Sequence, residues 1–196
     1  MYMLAGIVLF VFFGVQAAPA AAPPDPWTGL ESGRVGEYIW EVKTKRKAGA
    51  RQPCLMVGTT WELSPFNYRR SRYRACAGTD GQLTAADPPL IATGVQPSSG
   101  EAVDMTAVGM LFAPAARKVR ITLSDGRQET IQLHRLTQRQ ARSARLNRFE
   151  YAAFAKRGLW CAERMVSLGA TGRVLWDSGT DTFSCGADGS GLPDFE

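Results

Sequence analysis

The residues with the most chemical capacity in this chain are four cysteines, a single histidine, and basic side chains dominated by arginine. A structural zinc site needs closely spaced Cys and His ligands. Cys54, Cys76, Cys161 and Cys185 show no C-x₂-C spacing, and His134 is the only imidazole, so no metal or cofactor is expected. A Ser–His–Asp arrangement would have to use His134 as its base, yet there is no G-x-S-x-G elbow. His134 ends a hairpin strand beside Arg135, which reads as a surface or strand-end position. A thiolate nucleophile needs an unpaired cysteine. An even cysteine count beyond an export leader instead suggests two disulfides. The local pairing Cys54–Cys76 and Cys161–Cys185 closes two loops of just over twenty residues. Each would add ~3 kcal/mol in the chain-entropy model, and two other connectivities stay open.

Carboxylate chemistry is equally hard to place. Glu62, Asp87, Glu150, Glu163 and Asp177 lie near strands or turns, but their spacing singles out no pair for glycoside hydrolysis. They read as surface or turn residues. GADGSG follows Cys185 without the strand–loop–helix frame of a phosphate loop. No catalytic residue is therefore assigned.

Binding is the better class. WELSPFNYRRSRYRAC mixes Trp61, Phe66, Tyr68 and Tyr73 with Arg69, Arg70, Arg72 and Arg74 inside the expected Cys54–Cys76 loop. As a strand, YRRSRYR puts Arg70, Arg72 and Arg74 on one face, where guanidiniums can hold phosphate or carboxylate bidentately. A second basic run, HRLTQRQARSARLNR, contains Arg135, Arg139 and Arg142, which fall near one helix face. The bland reading is a solvated surface: charges on an exposed strand discourage edge-to-edge aggregation. The chain has 18 arginines among its 23 basic residues beside abundant Ala, Gly and Pro, a bias suggesting a GC-rich genome.

The elements that must position these groups are mostly strands. Period-two alternation dominates after Gly36, as in EYIWEVKT, where Tyr38, Trp40 and Val42 share a face. VRITL-SDGR-QETIQL and GLWCAERMVSL-GATG-RVLWDS read as hairpins, with PCLMVGTT, PLIATGV, VDMTAVGMLFA and FEYAAFAK as further strands. Thr137 and Gln140 fit a capping box that starts a short crossover helix near Gln138 and ends it near Ala144. Leu136 and Leu146 are expected to hold its ends against the sheet. The expected fold is all-β: a single antiparallel β-sandwich of about ten short strands with one short helix in a crossover, stapled by two disulfides.

The opening MYMLAGIVLFVFFGVQAAPAAAPP is apolar from Leu4 to Val15 and carries small residues after it. Residues 1–20 are read as a signal peptide, or as an anchor if uncleaved, since no Lys or Arg precedes the apolar run. Residues 21–34 are an Ala/Pro/Gly-rich linker, 35–185 the sandwich domain and 186–196 an acidic tail. The succession from PCLMVG through GMLFAPAARKVRITLSDGRQETIQLHRL to RFEYAAFAKRGLWCAERMVSLGATGRVLWDS resembles a group of uncharacterised exported β-sandwich proteins of actinobacteria. The resemblance covers about two-thirds of the chain and implies an extracytoplasmic β-domain of bacterial source, without bringing an activity. Three functions follow as expectations. The first is a non-catalytic binding or structural module at the cell envelope, contacting an anionic wall polymer or membrane surface, with no nucleic-acid partner. The second is an envelope hydrolase using paired carboxylates. The third is an extracytoplasmic sensor or partner domain held by an uncleaved leader.

Overall fold

The computed structural model describes residues 27–46, 52–64, 67–77, 83–97 and 103–179. The expected leader, Cys185 and the acidic tail lie outside them. The alternating stretches become antiparallel strands, twelve of them among the described residues, arranged in three four-stranded sheets. The first sheet is a meander of β1 (Thr28–Val35), β2 (Tyr38–Arg46), β3 (Pro53–Ser64) and β4 (Asn67–Cys76). Next in the chain come β5 (Leu90–Pro97), β6 (Val103–Phe112), β7 (Lys118–Leu123), β8 (Gln128–Gln132) and β9 (His134–Arg135). The helix α1 (Gln138–Ala144) precedes β10 (Glu150–Arg157), β11 (Ala162–Leu168) and β12 (Val174–Asp177). The second sheet has the order β5-β6-β10-β9 and the third β12-β11-β7-β8.

This architecture corrects two expectations. The sheet body starts seven residues before position 35: β1 occupies 28–35 and pairs with β2 around a turn at Gly36, which has a φ of 59°. Strand pairing here does not need a continuous apolar side. Gly33 opposes Trp40, and a Cβ on it would lie 3.0 Å from the indole nitrogen, so the bare glycine backbone lets the ring lie against the strand. Residues 28–34 of the stretch read as linker thus belong to an edge strand.

The second correction concerns layers. Instead of two sheets around one core, the second sheet carries a core on each face. Met105, Ala107 and Leu111 of β6 pack with Val42, Leu55 and Val57 of the first sheet. Val108, Met110 and Phe112 pack with Val119, Ile121 and Met165 of the third. Every residue from Met105 to Ala113 is buried, because a strand covered on both sides has no solvent face to alternate toward. The run MTAVGMLFA, free of charge and apolar apart from Thr106, is the sequence trace of that position.

The expected crossover helix forms within the expected bounds. Thr137 accepts from the Gln140 backbone N–H at 3.2 Å, and the Gln140 side chain accepts the Thr137 N–H at 3.0 Å. Arg145 ends the helix in the left-handed region, its N–H bonding back to Ala141 and Arg142. Ala141 and the flanking Leu136 enter the first core, with Leu146 packed against it. Gln140 Nε2 also donates to the Gly29 carbonyl at 3.1 Å, tying the helix to β1. No helix among the described residues is long and apolar enough to cross a membrane.

One disulfide joins Cys54 to Cys76, directly opposite residues of β3 and β4, with Cα atoms 4.0 Å apart. It closes the hairpin at its open end, so it restricts the unfolded chain while adding no new contact between elements. Cys54→Ser/Cys76→Ser should lower unfolding free energy by about 2–3 kcal/mol, read by denaturant titration, with sheet content retained. An unchanged midpoint would show that the unfolded hairpin is already closed without it.

Candidate functional site

Antiparallel register decides which charged residues share a face. Trp40, Val42 and Thr44 of β2 point into the first core, so Glu41, Lys43 and Lys45 occupy the outward side. Across the ladder, Lys45 opposes Cys54 and then Cys76, Lys43 opposes Met56 and then Arg74, and Glu41 opposes Gly58 and then Arg72. Arg70 holds the next position of this series, opposite Thr60. The outward side of the first sheet therefore brings together Lys43, Lys45, Arg72 and Arg74, with Glu41 as the acid in these rows. Alternate residues on a strand lie ~7 Å apart, and β2 and β4 are separated by ~10 Å across β3.

Trp27 completes this surface. Its ring lies 4.5 Å from Lys45 Nζ and 5.7 Å from the Arg74 guanidinium carbon. Those cations come from strands on either side of β3, so the indole reaching both lies over β3, where Cys54 and Met56 are almost fully buried. A cation above an indole is attracted by the ring quadrupole. The ring thus fixes where two cations sit on an otherwise flat sheet. Glu41 leans over Gly58, whose added Cβ would lie 3.1 Å from the carboxylate oxygen, and it pairs with Lys43 at 3.1 Å.

The second basic run does not join this surface. α1 packs against β1 and β2, and β1 is the sheet edge opposite β4, about three strand spacings or ~14 Å away. Arg139 and Arg142 are exposed on the helix. Arg142 lies in the last turn, where a cation favours the helix dipole. Arg135 is engaged structurally, its Nε donating to Glu150 Oε1 at 3.0 Å. Arg117 donates to the same oxygen at 2.7 Å and to the Pro114 and Ala116 carbonyls. Glu150 is 2% exposed, so these two arginines hold a buried carboxylate at the junction of the second and third sheets.

Two of the other acids, Asp87 and Asp177, are engaged locally. Asp87 accepts the Thr84 N–H of its own turn, a bond that lowers its pKa. Glu163 is exposed on β11, and the Glu62 side chain lies outside the described residues. Asp177 is bound bidentately by Arg164 at 3.0 and 2.6 Å and accepts the Gly179 N–H at 2.9 Å. Chiefly through the Arg164 bonds, then Gly179, its pKa falls to about 2. An unfolded aspartate titrates near ~3.9. The pair therefore contributes fully above that value and is lost as pH falls through about 2. Amide exchange along Val174–Asp177 should rise across this acid window, and Arg164→Gln should remove the dependence.

A cleft of about 200 Å³ beside the β7–β8 turn contains Asp125, Glu129 and Trp160, superficially the arrangement a carboxylate hydrolase needs. Its acids are paired with cations. Lys156 binds Glu129 at 2.5 Å, and Arg127 holds Asp125, its backbone N–H first and side chain second lowering the aspartate pKa. A general acid needs a shift opposite to that of Asp125, and Glu129 is held by an ammonium, so this cleft adds no support to the hydrolase reading. His134 is exposed with its ring 5.7 Å from Tyr151. Among the described residues no group of three His, Cys, Asp or Glu side chains is placed to hold a metal ion.

The strand period set Arg70, Arg72 and Arg74 at alternate positions, whereas Trp27, Lys43 and Lys45 were not among the candidate binding residues. The lysines had a readable signal, their alternation with Trp40 and Val42. Trp27 had none, because its position over β3 depends on how β1 enters the sheet. No family model, curated protein or solved structure matches the chain.

Proposed function

We propose that this chain is an exported, disulfide-stabilised β module that works by binding an anionic component of the bacterial cell envelope. The observation that carries the reading is the outward side of the first sheet, which Lys43, Lys45, Arg72 and Arg74 share and where Trp27 lies against Lys45 and Arg74. An aromatic-anchored cation cluster attracts anions at long range and positions guanidiniums for bidentate contact. Export rests on the apolar run Leu4–Val15 and the small residues after it, together with a disulfide, a bond that persists in oxidising compartments. In this reading Cys161 bonds Cys185, the source is an actinobacterium, and the leader is either removed or kept as an anchor. Non-reduced peptide mapping tests the second disulfide. N-terminal sequencing of protein from medium and membranes tests export and anchoring together.

Binding is tested by retention on anionic wall and membrane preparations. Arg72→Glu/Arg74→Glu should abolish salt-sensitive retention while leaving the circular dichroism spectrum unchanged, since both side chains are exposed on an edge strand. Retention equal to that of the parent protein would overturn the proposal.

A further inference from the structure

The basic surface has a direction as well as a charge. On β2 the outward row reads Glu41, Lys43, Lys45, so an acid interrupts it and pairs with the neighbouring lysine. On β4 the corresponding row is Arg70, Arg72, Arg74, three arginines at alternate positions with no acid between them. β4 is also a sheet edge, so a ligand can lie along it without crossing another strand. Successive positions in that row are separated by six backbone bonds, or ~7 Å in an extended strand.

We propose that the β4 row binds a linear phosphodiester chain of three-carbon polyol units, lying parallel to the strand with successive phosphates at Arg72 and Arg74 and a third at the register position of Arg70. This inference rests on the anion-binding reading above and names its ligand class. From one phosphorus to the next, such a chain also has six single bonds, so its extended repeat matches that of alternate strand residues. Commensurate spacing lets each guanidinium meet a phosphate without bending either backbone, and a planar fork suits phosphate oxygens. A membrane surface offers headgroups in two dimensions and would engage Lys43 and Lys45 across β3 as well as the arginine row, whereas a chain along the edge needs the row alone. A single-stranded nucleic acid shares the phosphate repeat but draws much of its affinity from bases stacking on aromatic rings. Here the indole within reach is engaged by Lys45 and Arg74.

Calorimetric titration of the exported protein with synthetic glycerol-phosphate oligomers of increasing length tests this. Affinity should climb until three phosphates are spanned and then flatten, with a log–log salt slope of about −2. Arg72→Gln/Arg74→Gln should make the slope shallower by about 1.4, because each lost phosphate contact removes roughly 0.7. Arg72→Lys/Arg74→Lys should retain the slope with weaker binding, charge being kept and the fork lost. Phosphatidylglycerol vesicles binding as tightly as the oligomers, with no length dependence, would overturn the polymer assignment while leaving an anion-binding face. Tighter binding of a single-stranded oligonucleotide with the same number of phosphates would overturn it in favour of nucleic acid. Failure of oligomers, oligonucleotide and vesicles alike to bind would overturn both this inference and the reading beneath it.

Discussion

Gly109→Leu should cost more than about 3 kcal/mol and can prevent folding altogether, because it overfills a tightly packed contact between sheets. Gly109 lies on β6 between Ala92 of β5 and Ala153 of β10, and the adjacent row is Gly94, Ala107 and Ala155. These small residues form a shallow bed on the middle sheet. A Cβ at Gly109 would come within 2.7 Å of Val42 Cγ1, 3.3 Å of Val57 and 3.4 Å of Leu55. All three neighbours are fully buried, so none can swing into solvent. β3 and β6 contain Cα pairs within 8 Å, closer than the ~10 Å usual for stacked sheets. Leucine would force the layers apart and leave voids elsewhere in the core. Denaturant titration reads the loss, with Gly29→Ala as comparison, since a Cβ there meets nothing within 4 Å and should change stability by less than about 0.5 kcal/mol. Equal effects at the two glycines would remove close approach as the explanation.

Glu150→Ala should destabilise by about 3–4 kcal/mol, near the lower end for breaking a buried ion pair, because its partners remain partly solvated. The Arg117 and Arg135 side chains are 39% and 49% exposed, whereas Glu150 is 2% exposed. Removing the carboxylate leaves two guanidiniums converging on an emptied volume without a counter-charge. It also releases Arg117, which binds the Pro114 and Ala116 carbonyls of the turn entering the third sheet. Glu150→Gln keeps an acceptor oxygen and the shape, so it should recover part of the loss. Thermal unfolding of the two variants measures the difference. Alanine and glutamine behaving alike would show that charge, rather than shape or an acceptor oxygen, holds this junction together.

Much of this molecule was legible from local sequence. The hairpins around Gly126 and Gly172 form where turn glycines interrupt alternation, each with positive φ. The short helix was readable to its ends because a capping box is completed within a few residues. The register that sets Arg72 and Arg74 on one side also follows from strand period alone. The role of Arg135 was hidden: its partner Glu150 is fifteen residues away and reaches it only when β9 pairs with β10. Trp27, Lys45 and Arg74 were harder still, coming from a segment entering β1 and from strands on both sides of β3.

The sequence by itself determined the all-β class, most strand positions, the crossover helix and one basic row, because each depends on contacts that a short segment makes with itself or through a tight turn. Only the tertiary structure decided that three sheets enclose two cores, that β1 begins at Thr28, and which arginines remain on the surface. Those outcomes depend on strands far apart in sequence meeting face to face. There, the fit of Gly94 and Gly109 against the first sheet and the burial of Glu150 select one arrangement among many that satisfy the same local pattern.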